Sequence, residues 1–319
     1  MPIQVATKDN LLTLIARACS EIGLVAPAVI VGNLDQQVVQ LLALATREGR
    51  EQYSMATPIG GWQVLRQEYV FAMQSTGILL GCSIAANSSI VTLPAGNNAQ
   101  LGWVVSNSGA SNASGFPYPT TITQIIDATH VQVSNASTVT NTNISLAFGK
   151  DTYPMPADYD HDIPQTQWDR GFRWQLLGPM SPQEWQVLKS GLSPTGPRRR
   201  YRLIDGAFVV DPVPYDTNTL VFEYYSTNWV QSAAGASQRG FLADTDFFML
   251  DDDAFVLGVI WRFKRAKGLD YDEEKDMWQN RVDLMKSRQA GQRSLPMNAT
   301  SGGVRLLNNQ NVPDTGFGT

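Results

Sequence analysis

Asp158, Asp160, His161 and Asp162 bring three carboxylates and an imidazole together within five positions, donor types that suit a divalent cation. The run has neither the Gly nor the closing Glu of a calcium-binding loop, and no H-E-x-x-H or Cys-x-x-Cys stands elsewhere to complete a zinc site. A solvated loop is the simpler reading. Ser111, in Gly109-Ala-Ser-Asn-Ala113, approaches a nucleophile elbow but lacks the closing Gly, and neither His130 nor His161 has the context of a triad. No G-x-x-x-x-G-K-[ST] and no dinucleotide fingerprint is present. The Asn-x-Ser/Thr matches, at Asn87 for example, carry no weight without a secretory signal. The expectation is a protein with no catalytic residues, no metal and no cofactor.

The one dense cationic run is Arg198, Arg199, Arg200 and Arg202. Overall, 24 Lys plus Arg stand against 29 Asp plus Glu, a net charge of -5, so any contact with nucleic acid must be local. The run reads either as a solvated turn, with the acidic cluster Asp251 to Asp253 as a possible partner, or as a belt that a ring of subunits would repeat around its axis. Trp168, Trp174, Trp185 and Trp229 lie in loop-rich stretches, where large aromatics anchor interfaces or fill a β-rich core. Cys19 and Cys82 are too few for a disulfide scaffold, and Cys19, on an apolar helix face, reads as a small buried hydrophobe in a reducing cytosol. The first residues lack a targeting segment, and FVLGVIW (255–261) falls far short of the roughly 18 to 20 apolar residues of a membrane span.

The elements that must position these residues follow from periodicity. Leu11, Ile15, Ala18 and Ile22 recur at helical spacing between Asp9, a cap, and Gly23, a stop. Asn33 with Gln36 resembles a capping box for a second helix to about Tyr53, with Val38, Leu41, Leu42 and Ala45 inward and Arg47, Glu48, Arg50 and Glu51 outward. GGWQVLRQEYVFAM suits a strand whose start is open to a helical reading. Ser181, Pro182 and Glu184 open a short helix. Asp205-Gly206 between apolar runs signals a hairpin, and Leu220, Phe222 and Tyr224 alternate with Val221, Glu223 and Tyr225. Two helices close the regular part: one after Asp251 to Asp253, with Phe255, Val256, Val259, Ile260 and Phe263 inward and Lys264, Arg265 and Lys267 in its last turn, and one opening at Asp270 with Tyr271, Trp278, Val282 and Met285 on one face.

Between Tyr69 and Gly149 the only formally charged residue is Asp127. SSIVTL, LGWVVS, TTITQII, HVQVS and ISLAF punctuate this stretch as short strands between turns, a pattern that suits a small β-sandwich inserted into a parent domain. The predicted fold class is therefore α+β. A helical bundle with an antiparallel β-hairpin sheet (1–75 and 151–290) carries an inserted all-β domain (76–150) and an extended C-terminal tail (291–319).

Read in order, LLTLIARACSEIGL, QQVVQLLALATREGREQY with WQVLRQEYVF, MPADYDHDI with QWD, GPMSPQEWQVLKSG, YRLIDGAFVVDPVP with LVFEYYSTNWV, and DDDAFVLGVIWRFKRAKGLDYDEE resemble the head-to-tail adaptor (connector, or head completion) proteins of tailed bacteriophages. TTITQIIDATHVQVSNASTVTNTNISLAFG separately resembles a β-rich module of phage structural proteins, an insertion that the adaptor pattern does not require. The resemblance implies a non-enzymatic virion protein of the neck, assembled in the host cytoplasm. Such a protein forms a homo-oligomeric ring, typically twelvefold, under the portal, and continues the channel for genomic DNA. It also implies portal, tail or nozzle, and fibre proteins as partners, transient contact with DNA and no membrane insertion. On that reading Arg198, Arg199, Arg200 and Arg202 face the channel or a neighbour, and the tail docks on the portal through Arg305, Leu306 and Leu307. Two other readings stay open: a tail-tube or tail-accessory protein, and an enzyme acting on the host surface with Asp158 to Asp162 as its centre.

Overall fold

The computed structural model describes residues 8–55, 61–106, 115–189 and 198–289. Ser111 and the 291–319 tail, with Arg305, Leu306 and Leu307, lie outside the described residues. Helix α1 (Leu11–Ile22) buries Leu11, Leu14, Ile15, Ala18 and Cys19 and ends on Gly23, whose φ of 79° suits a residue without Cβ. Its cap is Asn10, whose side chain accepts from the Thr13 amide; Asp9, expected there, instead pairs with Arg17 at 2.9 Å. Helix α2 (Gln36–Ser54) is capped by Asp35 through the Gln37 amide, while Asn33, the predicted cap, accepts from the Asp35 amide one step earlier.

Helix α4 (Asp252–Lys267) packs against α1, α2 and α5 (Asp272–Gln289) and buries Phe255, Val256, Val259, Ile260 and Phe263 as its spacing predicts. It is apolar nearly all round because it is central, while α1, α2 and α5 each present one face to it. Trp62, Trp229 and Phe248 complete this core. Gly49 leaves no room for a Cβ because the Trp229 ring lies against it. Glu48 does not face out: it is wholly buried with Arg262 at the meeting of α2, α4 and α5, and its carboxylate accepts from Trp278 Nε1 at 2.7 Å and Gln52 Nε2 at 2.5 Å. Charge alone suggested solvent, whereas the helical period carries Glu48 and Gln52 onto the edge of the buried stripe.

Below the bundle, β15 (Thr219–Ser226) is the hub of an antiparallel sheet. On one side it pairs in full register with the edge strand β1 (Arg66–Ala72), which follows a single 3-10 turn. On the other it pairs with β10 (Tyr159–Asp162) and β11 (Trp168–Asp169), the latter extended by β12 (Trp174–Gln175). A second sheet of β13 (Arg200–Ile204), β14 (Ala207–Asp211) and β9 (Thr152–Pro154) packs on it. Tyr201, Phe208 and Phe222 stack across the gap with centroids 4.8 and 5.4 Å apart. The β13–β14 turn is Asp205-Gly206, both residues at positive φ, as a two-residue hairpin of this type demands. Short strands β16 (Val230–Gln231), β17 (Ser237–Gln238) and β18 (Phe247–Phe248) lead into α4. The predicted cap of α3 (Pro182–Lys189) forms reciprocally between Ser181 and Glu184.

The predicted strands of the low-charge stretch all form. Their five-stranded sheet runs β5 (Ile122–Ile125), β6 (His130–Val133), β3 (Ile90–Thr92), β2 (Leu79–Ile84) and β7 (Asn141–Leu146), beside a β4 (Val104–Val105) and β8 (Phe148–Gly149) pair. These strands enclose a core of their own around Cys82, Val91, Trp103, Val131, Leu146 and Phe148. The chain enters and leaves this segment side by side: Thr76 donates to Phe148, Lys150 donates to Gln74, and Ser75 bridges Gly149. The segment rests on the rest of the protein through Ser106 Oγ to the Val213 carbonyl (2.7 Å) and Lys189 Nζ to the Tyr118 hydroxyl (2.5 Å). The whole is α+β, as predicted.

Candidate functional site

Strand alternation sorts the basic run. Arg199 shares the inward side of the chain with Tyr201 and is buried; its guanidinium pairs with Asp169 and, at 2.5 Å, with Asp216, under the Phe172 ring. Arg199 therefore adds no surface charge to the run. Arg198 is exposed, Arg200 and Arg202 are half-buried, and none of these three has an ion pair among the described residues. The acidic cluster is no partner for the run. Asp251 takes a two-point contact from Arg281 (3.0 and 2.8 Å), Asp253 pairs with Arg17 at 2.7 Å, and Lys8 beside them caps the Phe248 and Met249 carbonyls at 2.9 and 2.6 Å. Burial pulls the Lys8 ammonium below its ordinary range, opposed by Asp252 and Asp251.

The carboxylates of 158–162 diverge. Asp158 accepts from the Tyr224 hydroxyl (2.9 Å) and Ser226 Oγ (2.5 Å), Asp160 meets His161 Nδ1 (2.7 Å), and Asp162 takes the Gln167 amide (2.8 Å). Alternation alone would put 158, 160 and 162 on one face, but Asp158 precedes β10 and the strand's register shifts between Tyr159 and His161, so each carboxylate meets a different partner. Among the described residues no group of three His, Cys, Asp or Glu is placed to hold a metal. His161 lines a cleft of about 240 Å³ with Tyr53, Trp62 and Tyr225. Burial raises the Tyr53 hydroxyl well above the usual phenol range, reinforced by Asp160, so it stays protonated. A larger groove, about 460 Å³, lies on the outer face of the β1–β15–β11 sheet, crossed by the exposed pair Glu68 with Arg170.

His130 serves the β5–β6 turn. Asp127 accepts from the Thr129 and His130 amides (2.7 and 2.8 Å) and from His130 Nδ1 (2.9 Å), which holds its carboxyl at about 2. A carboxyl with a depressed folded value stabilises above its unfolded value near 3.8, and that contribution is lost as pH falls through about 2. Titration followed by carboxyl carbon NMR is expected to place the Asp127 midpoint near 2; a midpoint at 3.8 would contradict this turn geometry.

Sequence reasoning missed a cationic face that only tertiary contact assembles. Arg47 and Arg50 line the outer side of α2, and the C-terminal turn of α4 brings Arg265 and Lys267 to the same side, with Lys267 in a groove beside Gln36, Val39, Gln40 and Ala43. Burial, then the nearby Arg47 and Arg265, lower Arg262 to about 10, still a cation at neutral pH. Of the four tryptophans singled out, Trp229 and Trp185 are buried, Trp168 is half-buried, and Trp174 is exposed and stacks on Phe172.

The ionisable groups of this fold are largely spent in internal pairs, and no catalytic or metal-binding constellation forms among the described residues. The chain belongs to the SU10 adaptor protein family, whose model matches residues 85–305. It is thus an adaptor-type structural protein of a bacteriophage and a virion component. The match takes in most of the β-rich segment and leaves α1 and α2 outside. No curated protein matches the chain. A similar solved structure, the phage phi92 endosialidase, is 19% identical over 26% of this chain and 12% of that one, with a TM-score of 0.17, too low to carry an argument. No helix among the described residues is long and apolar enough to cross a membrane.

Proposed function

We propose that this adaptor is a neck protein that forms a closed ring under the portal, joins head to tail and continues the channel for DNA. The observation that carries this reading is the adaptor-family match across 85–305. Residues 1–75 and 151–290 form the ring-building domain, and 76–150 is an inserted domain that decorates it. Arg198, Arg200 and Arg202 repeat around the ring as the basic belt. The 291–319 tail reaches the portal through Arg305, Leu306 and Leu307.

Native mass spectrometry with negative-stain imaging, on the protein alone and with portal protein, tests this. Rings alone or on the portal are expected. A chain truncated after residue 290 is expected to bind portal about tenfold or more weakly. Unchanged binding would remove the tail from the assignment. A monomer that ignores portal and binds tail components would overturn the neck position.

A further inference from the structure

Two helices of the bundle carry outer faces of opposite charge, each with apolar side chains beside the charges. On α2, Val39 is 48% exposed next to Ala43, and Arg47 and Arg50 follow one and two turns on. On α5, Met277 and Leu284 are 44% and 41% exposed and seven residues apart, so they share a side of the helix. Asp276 and Asp283, also seven apart, run alongside them. Arg47, Arg50 and Asp276 have no ion pair among the described residues, and Asp283 meets only the Gln279 amide at 3.4 Å.

The buried sides of both helices, Val38, Leu41 and Ala45 on α2 and Trp278, Val282 and Met285 on α5, turn into one common core. Their outer faces are therefore different surfaces of the same protomer. A contact between unlike surfaces leaves one of each unused in a dimer, so it repeats, into a ring where the rotation closes and into an open filament where it does not.

We propose that the outer face of α2 docks on the outer face of α5 of the next copy. Arg47 and Arg50 lie against Asp276 and Asp283 there, and Val39 and Ala43 lie against Met277 and Leu284. The occupant is a second copy of this chain because the chain itself supplies both the complementary charge and the matching apolar strip. This inference rests on the ring reading above and specifies which surfaces would build it. Opposed charges at the rim set register and the rate of encounter, so assembly is expected to weaken as salt rises.

The test is a charge swap on the full chain. Arg47→Glu/Arg50→Glu reverses one face, and Asp276→Lys/Asp283→Lys reverses the other. All four positions are exposed, and unchanged circular dichroism and melting of each variant serve as the folding control. Each variant alone is expected to lose rings at least about tenfold, since like charges then meet at every contact. Mixed in equal amounts, the two variants regain opposed charges at every contact, and rings of alternating composition are expected by native mass spectrometry. Variants that form rings alone as well as the natural chain does would overturn this interface and leave the ring reading standing. Loss of rings without recovery on mixing would equally overturn it, because the two faces would then not be partners. If the natural chain forms no ring either alone or on portal, the ring reading itself fails, and this inference with it.

Discussion

Replacing Arg262 with Met is expected to lower stability by about 3–5 kcal/mol, read as a shift of the urea midpoint. The guanidinium contacts the Glu48 carboxylate, reaches Glu51 at 2.7 Å and donates to the Gly258 carbonyl at 2.9 Å. The rings of Trp261 and Trp278 lie 4.3 and 5.3 Å from it. Without Arg262, Glu48 keeps only two neutral donors, from Trp278 and Gln52, in a site with no exposure. A buried carboxylate without its counter-charge is the expensive species, more than the lost attraction itself. The double variant Glu48→Met/Arg262→Met removes both charges but leaves Trp278 Nε1 and Gln52 Nε2 without their acceptor, so it is expected to lose about 1–3 kcal/mol, less than the single variant. A double variant as damaged as the single would show that packing, not uncompensated charge, governs this node.

Arg199→Met carries a similar expectation, about 3–5 kcal/mol, because Asp169 is 3% exposed and would lose its partner. Arg198→Ala and Arg200→Ala are expected to change stability by no more than about 0.5 kcal/mol, as ordinary surface substitutions do. Any phenotype of those two would then lie outside folding. The same urea midpoints, measured on these three single variants, separate the roles. An Arg199 variant as stable as the Arg198 variant would return Arg199 to the surface run.

Local chemistry made much of the fold legible. The Ser181–Glu184 capping box, the Asp205-Gly206 turn, the alternation in 219–226 and the stripe on α4 each depend on neighbours a few positions away, and each formed as its spacing dictates. Long-range packing decided the remainder. Strand β2 carries Gly81 at positive φ and irregular register with β7, so its sequence lacks clean alternation although it sits between β3 and β7. Glu48 and Arg199 were assigned to solvent by residue type, and in both cases the period of the element placed them inside. The cationic face of α2 and α4 joins residues more than 200 positions apart, and no local pattern brings them together.

The meeting of Gln74 to Thr76 with Phe148 to Lys150 has a consequence for heredity. Chain ends held as adjacent antiparallel strands lie only about 5 Å apart, so a link of a residue or two can replace everything between them. One pair of crossovers in the gene, at those codons, would exchange the β-rich segment while β1, β9 and the bundle keep their register. Among the described residues the polar contacts left behind include a carbonyl at Val213 and a lysine at 189 that keeps Asp211 as its partner at 2.5 Å. The junction makes this segment separable in principle: its ends meet, so its removal would leave the neighbouring strands where they are.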